Sequence, residues 1–375
     1  ILNSRTMISF TRHRRRRRTT GVLSISLLLR LFFFFLSTAS CTKLLIGSFN
    51  IQVFGKSKMS KSHVVTALVK ILQRYDLVLV QEIRDKSETA IQDLLLQLNA
   101  ASPAKYSLFL SSRLGRTSSK EQLGWFYKTA KITKVGDEQI ADASDIFERP
   151  PQVVYFDLSS GQGLGKPSDT VAIIGIHVDP DDAVAEINAL ANVVDTCVAQ
   201  GKAKGGVWVM GDLNADCSYV TKTEWTCIKD TACTNTIMKL YNPEKYEWLI
   251  PDDADTTTTT GSDCAYDRFV VAKPVPKQIS NASVYDFGSD VDTLGALTMD
   301  EIKAISDHYP IELTWATATT ATTAKEEGKT SSTIQVNRND TDVGLTNGRN
   351  GVKDVFMPVK LSGFFLLLCA GLLSL

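Results

Sequence analysis

Seven polar residues stand where short apolar runs end or begin. Asn50 follows "LLIGSF", Glu82 follows "LVLVQ", His177 follows "VAIIGI", and Asp212 and Asn214 follow "VWVMG". Asp307 and His308 immediately precede "YPIELTW". Carboxylates and amides without cysteine are the donor set of a hard cation such as Mg2+. Two imidazoles can exchange protons near neutral pH. Together, oxygen donors and two histidines describe metal-assisted attack of water on a phosphodiester. Each residue alone has a plainer use. An Asp or Asn at a strand end more often closes a turn, and a lone histidine more often satisfies the core. The set carries the chemistry.

Whether these side chains meet depends on the elements that hold them. "KLLIGSFNI", "DLVLVQEI", "QLGWFYK", "QVVYFDL", "TVAIIGIHV", "GVWVMGDL" and "YDRFVVA" are β-rich runs bounded by polar residues. Several are apolar throughout, as strands covered on both faces are. A last strand starts at Ile311, with Ile311, Leu313 and Trp315 on one face and Glu312 and Thr314 on the other. Helical periodicity places Val64, Leu68, Ile71 and Leu72 on one face of 60–73, and Ile91, Leu94, Leu95 and Leu98 on one face of 88–98. "DDAVAEINALANVVDTCV" reads as a third helix with acids in its first turn. Strands mixed with helices predict an α/β layered domain over 41–315. Neighbouring strand ends then share one sheet edge, where the polar residues converge.

The formal net charge is zero, but residues 1–40 hold eight arginines and no acid. The remainder has 33 basic against 41 acidic residues. No broad basic face is evident, so nucleic acid would need a local site or bound cations. Residues 1–40 read as a signal peptide, with Met7 as a start, "RHRRRRR" as n-region, "LLLRLFFFFL" as h-region and "STAS" before Cys41. The rival is a retained anchor, for which the apolar run is short. Residues 316–354 are rich in Thr, Ser and Asn and read as a solvated stalk. Residues 355–375 end in "GFFLLLCAGLLSL", an apolar tail with the order of a lipid-anchor signal. The expected location is the secretory pathway, then the outer membrane leaflet or the medium. Asn281 and Asn339 head glycosylation sequons. Spacing alone does not pair the cysteines.

"FNIQVFG", "LVLVQEIRD", "SSRLGRTSSKEQ", "GIHVDPDDAVAEIN", "MGDLNADCSYV", "WLIPDDADTTTTTGSDCAYDRFVVA" and "ISDHYPIEL" resemble, in order, the motifs of the deoxyribonuclease I family. The match covers almost all of 43–315. It implies a β-sandwich flanked by helices, and Ca2+- and Mg2+-dependent endonucleolytic cleavage of DNA to 5′-phosphate ends. By resemblance, Glu82 is the main Mg2+ ligand, with Asn50 and Asp307 nearby. Asp212 and Asn214 position the scissile phosphate, the metal and the attacking water. His177 pairs with Glu121, and His308 with Asp267. His308 is expected to act as base and His177 as acid for the leaving 3′ oxygen, an order open to reversal. Arg84 and Arg116 would enter the minor groove, and Arg149 would hold a phosphate.

The resemblance also implies a Cys217–Cys264 disulfide and a structural Ca2+ loop at Asp255. A second Ca2+ loop would use Asp145 and the Phe147 carbonyl, but it lacks the usual acid at Pro150. Ser119 replaces a groove-stacking tyrosine and Gln52 a common basic residue, which weakens duplex binding or alters sequence preference. Cys227 and Cys233, in an insertion, would pair with each other. A monomer is expected, with inhibition by actin left open. Two other functions compete. One is another phosphodiesterase of the wider superfamily, acting on inositol phosphates, sphingomyelin or abasic DNA. The other is a membrane-tethered binding module. "CAYDR", "SSKEQ" and the Cys217–Cys264 spacing favour the endonuclease, and none of the expected catalytic residues is lost.

Overall fold

In chain order the elements begin with β1 (Thr42–Phe54), α1 (Lys56–Met59), α2 (Ser62–Arg74), β2 (Leu77–Ile83), α3 (Thr89–Ala101), β3 (Tyr106–Leu110) and β4 (Gln122–Lys128). They continue with β5 (Thr133–Gln139), β6 (Gln152–Asp157), β7 (Thr170–His177), α4 (Ala183–Gln200), β8 (Val207–Asp212), β9 (Tyr246–Trp248) and β10 (Asp267–Ala272). The last are β11 (Ile279–Val284), α5 (Val291–Leu294), α6 (Met299–Ile305) and β12 (Ile311–Thr317). This computed structural model describes residues 42–159, 170–221, 224 and 238–317. The expected signal, the stalk beyond Thr317, the lipid-anchor tail, the Asn339 sequon, Cys41 and the Cys227–Cys233 pair lie outside the described residues, while Ala316 and Thr317, expected to open the stalk, belong to β12.

Two sheets form, ordered β11-β12-β1-β2-β4-β3 and β5-β6-β7-β8-β10-β9. At the centre of each lies a parallel pair, β1 with β2 and β7 with β8. The other pairings are antiparallel. A parallel pair needs a crossover. The β1–β2 crossover contains α1 and α2, and the β7–β8 crossover contains α4. In each pair both chains leave at the same end, and there stand Asn50, Glu82, His177 and Asp212.

Three apolar layers hold this frame. Leu44, Ile46, Leu79, Trp125, Trp208, Leu313 and Trp315 fill the space between the sheets. Val64, Leu68, Leu72, Ile91, Leu94 and Leu98 fasten α2 and α3 to the outer face of the first sheet. Ile187, Leu190 and Val194 fasten α4 to the second. The patterning implied the α/β layering, and the resemblance implied the helix-flanked β-sandwich that results. The sheets approach closely at Gly175, where a Cβ would stand 2.5 Å from Trp125 Cζ2. Among the described residues, no helix is long and apolar enough to cross a membrane.

Candidate active site

Strand register builds the centre of the site. Asp212 pairs across β7–β8 with His177 and across β8–β10 with Asp267, so all three occupy one rung. His308 arrives from the segment before β12, held by an antiparallel bridge to Thr257 and by its own N–H donating to Ser306 Oγ at 3.1 Å. His177 Nδ1 lies 2.6 Å from Glu121 Oε1, and His308 Nδ1 lies 2.7 Å from Asp267 Oδ2. Both Nε2 atoms then face Asp212 Oδ2, at 3.6 Å from His177 and 3.4 Å from His308.

Burial and charge set the proton positions. All five side chains belong to buried residues. Burial opposes charge on each imidazole, but Asp267 and Asp212 push His308 up to about 10. Glu121 and Asp212 likewise raise His177 above its ordinary value. Burial would raise Asp212, yet His308 and His177 hold it below the usual carboxylate range. Burial also works on Glu121, which His177, Arg149 and Arg84 keep low. The carboxylates thus favour the charged form of both imidazoles, each held through Nδ1 with Nε2 turned toward Asp212.

The Asn50–Glu82 side depends on two backbone irregularities. Leu77 and Leu79 face the other sheet while Val78 and Val80 face the helices. Strict alternation would send Glu82 with Val78 and Val80. Instead Glu82 takes φ 60°, the β2–β4 register shifts, and Ile83 falls on the helix side. A bulge of this kind re-aims a side chain. Here Glu82 Oε1 accepts from Asn50 Nδ2 at 3.1 Å and Oε2 from Val53 N–H at 2.8 Å. On β1, Gln52 and Val53 take φ 45° and 49°. Asn50 Nδ2 also donates to Asp212 Oδ2 at 3.0 Å, and its Oδ1 accepts from Gln52 N–H at 2.9 Å. One amide therefore joins Glu82 to the histidine–carboxylate cluster.

These donors fit a cation. Asp212, Asp267 and His308 offer ligand atoms within 4.8 Å of one another. Asp267 Oδ1 and Asp307 Oδ1 are shielded from solvent with no hydrogen-bond partner among the described residues. Buried acceptors normally find a partner, so such orphans suit an ion. Asp307 Oδ1 lies 3.9 Å from His308 Nε2. Asn214 is also present, its N–H donating to Asp212 Oδ1 at 3.0 Å and its Nδ2 to the Val178 carbonyl at 2.9 Å.

The arginines occupy the rim. Arg84 lies 3.3 Å from Glu82 Oε2 and 3.5 Å from Glu121 Oε2, and donates to Ser119 Oγ at 3.2 Å. Arg149 Nε lies 2.7 Å from Glu121 Oε1, so that carboxylate serves both an imidazole and a guanidinium. Arg116 stands apart from this cluster. It pairs with Asp145 at 3.1 Å and Glu148 at 3.4 Å, and also donates to the Asp145 carbonyl. The Asp145 oxygens expected for a second Ca2+ thus already hold a cation of the chain.

Behind the site, Asp255 Oδ1 accepts from the Thr257 N–H and hydroxyl, both at 2.9 Å. Thr258 donates to Ser306 O at 2.9 Å and, through its N–H, to Asp307 O at 2.8 Å. The Asp255 loop therefore supports the segment that carries His308. A disulfide joins Cys217 to Cys264, with Cα atoms 5.9 Å apart. Ser306 escaped the sequence reading, although its hydroxyl donates to Asn50 O at 2.6 Å. A serine beside "DHYP" carries no distinguishing signal, because its partner lies in a distant strand.

Comparison with known proteins places this geometry among relatives. The endonuclease/exonuclease/phosphatase family profile matches residues 47–308. The chain is 38% identical over 279 residues to deoxyribonuclease-1 of Bos taurus, covering 72% of this chain and 92% of that protein. It is 38% identical over 277 residues to deoxyribonuclease-1 of Homo sapiens, with 72% and 91% covered. With human deoxyribonuclease-1-like 2 it shares 36% identity over 297 residues, covering 74% and 94%.

Proposed function

The chain belongs to the endonuclease/exonuclease/phosphatase family, within its deoxyribonuclease I group, and on that premise we propose that it is a DNA endonuclease. It hydrolyses phosphodiester bonds with the help of a divalent cation and leaves 5′-phosphate ends. The observation that carries this reading is the single oxygen, Asp212 Oδ2, faced by two imidazoles that are each backed by a carboxylate. Water attack on a phosphodiester needs a proton taken from water and another given to the leaving oxygen, and this arrangement has a group for each.

Glu82, Asn50 and Asp307 are the residues proposed to hold Mg2+, which when bound neutralises phosphate charge and acidifies water. His177, kept protonated by Glu121, gives its Nε2 proton to the departing 3′ oxygen. His308, in its neutral form with Nε2 unprotonated, takes a proton from the attacking water. Asp212 is one of three carboxylates, with Asp267 and Asp307, whose charge raises the pKa of His308, so engaging it elsewhere fits the imidazole for the base role. Asn214, anchored to Val178 O, and Asp212 position the scissile phosphate. Asp255 is proposed to hold a structural Ca2+. Arg84, Arg116 and Arg149 are proposed to contact DNA across the minor groove and its phosphates, Arg116 after leaving Asp145 and Glu148.

In this reading the domain of 41–315 works as a monomer. It enters the secretory pathway through residues 1–40 and is tethered to the outer membrane leaflet, or released, beyond the 316–354 stalk. Asn281, exposed at a positive φ of 52° in β11, is open to glycosylation. The test is a substrate panel: supercoiled plasmid, sphingomyelin and an inositol polyphosphate, each with Mg2+ and Ca2+. Nicked plasmid with no turnover of the other two is expected. Turnover of sphingomyelin or the inositol polyphosphate without nicking would replace this reading with another phosphodiesterase.

A further inference from the structure

Beside the site, the interior holds an ammonium group. Lys58 is the one buried lysine among the described residues, at 8% exposure. Its Nζ donates to three backbone carbonyls, Ile51 at 2.8 Å, Gln52 at 2.6 Å and Ile305 at 2.9 Å. That uses every proton an ammonium has. Desolvation lowers its pKa to about 8, against the pull of the charges on Asp307 and Glu82. In the sequence, nothing in "GKSKMSK" singles Lys58 out.

The three carbonyls belong to two segments that carry the site. Ile51 and Gln52 lie in the β1 irregularity, where Gln52 N–H holds Asn50 Oδ1 and Val53 N–H holds Glu82 Oε2. Ile305 ends α6, two residues before Asp307. A second stitch crosses the same gap. Ser306 Oγ donates to Asn50 O at 2.6 Å and accepts from His308 N–H at 3.1 Å. The partners are 247 residues apart for Lys58–Ile305 and 256 apart for Ser306–Asn50, so only the fold brings them together.

We propose that Lys58 and Ser306 form a clamp that sets the spacing between Asn50–Glu82 and Asp307–His308, and that cation binding depends on this spacing. The proposal rests on the metal-dependent reading above. Lys58 acts as a positioning residue, because its three protons are spent on carbonyls and none is left for substrate. Cutting either stitch lets the two segments drift apart. A cation held from both sides feels that drift more than a long DNA substrate does.

The experiment measures Mn2+ binding to the protein without DNA by electron paramagnetic resonance, together with steady-state kinetics. Lys58→Met is expected to weaken Mn2+ binding roughly tenfold or more and to lower kcat, with KM for DNA changed about twofold at most. Ser306→Ala should shift both readouts in the same direction. Wild-type Mn2+ affinity in folded Lys58→Met overturns the clamp. Should Lys58→Met not fold, wild-type affinity in Ser306→Ala overturns it. Glu82→Gln separates the two levels: if wild type and Glu82→Gln bind Mn2+ equally, the metal reading itself has failed.

Discussion

His177 and His308 face one oxygen from different sheets, their Nε2 atoms 3.6 and 3.4 Å from Asp212 Oδ2. His177 ends β7 of the second sheet, and His308 leads into β12 of the first. The reacting groups therefore sit where the two sheet edges meet, and neither sheet alone supplies both. Glu121 and Asp267 fix the Nδ1 sides, which leaves each Nε2 directed at the same point.

The two carboxylates give opposite kinetic signatures. Removing one lowers the pKa of the imidazole it supports. Glu121→Gln should move the alkaline limb of the pH–rate profile to lower pH, because the acid loses its proton sooner. Asp267→Asn should move the acidic limb to lower pH, because the base becomes available sooner. Each should also lower kcat by about 10- to 100-fold. Profiles in which the two limbs exchange would reverse the acid and base assignments.

Gly211 precedes Asp212 with φ +151°, and a Cβ there would stand 1.9 Å from the Ile176 carbonyl oxygen. The clash is with backbone in the paired strand, so β8 must shift and carry Asp212 with it. Gly211→Ala is expected to cost roughly 3 kcal/mol or more and to abolish nicking. Urea unfolding and a nicking assay on the same preparation check both parts.

The Cys217–Cys264 bridge closes a separation of 47 residues. It ties the chain after Asp212 to the chain before Asp267. Loop entropy gives such a bridge about 4 kcal/mol. The double serine variant should unfold at lower urea by a corresponding amount, and an unchanged midpoint would show that the bridge adds no stability.

Glu186 on α4 is buried and accepts from Glu148 N–H at 2.8 Å and Asp179 N–H at 3.3 Å. It joins the loop of Arg149 to the turn after His177. Burial pushes its carboxyl up to about 7 from an ordinary 4.5. A raised acid binds its proton more tightly in the folded state, so stability falls as pH rises between those values. The loss is on the order of 3 kcal/mol. Unfolding measured at pH 5 and pH 8 should show this loss in wild type and a smaller one in Glu186→Gln. An equal loss in both would move the effect to another group.

The eight inner strands were legible because each is apolar enough to read. The edges were not. β3, β5, β9 and β11, which flank the two sheets, escaped the sequence reading. β5 alternates exposed and half-buried residues and contains a single large apolar side chain, Val135, while β9 has three residues. An edge strand gains less from burial, so its composition says less. The strand-end polar residues were visible as a group, and the structure brings Asn50, Glu82, His177, Asp212 and His308 together. Their orientation was not visible. The side of β2 from which Glu82 emerges depends on its φ of 60°, and nothing in "LVLVQEIRD" announces a left-handed glutamate. Lys58 and Ser306 were hidden for a related reason, since their partners are backbone carbonyls, which have no residue type to recognise.

Metal-dependent cleavage of DNA is the reaction assigned to the paired imidazoles. Its most direct measurement is the conversion of supercoiled plasmid to nicked circles by wild type, His177→Ala and His308→Ala, each in Mg2+ with Ca2+ and each again in EDTA. Wild type should nick only with cations present, and each histidine variant should be slower by roughly 100- to 10,000-fold. Nicking at the wild-type rate by either variant, or by wild type in EDTA, would show that the imidazoles or the cation do not carry the reaction.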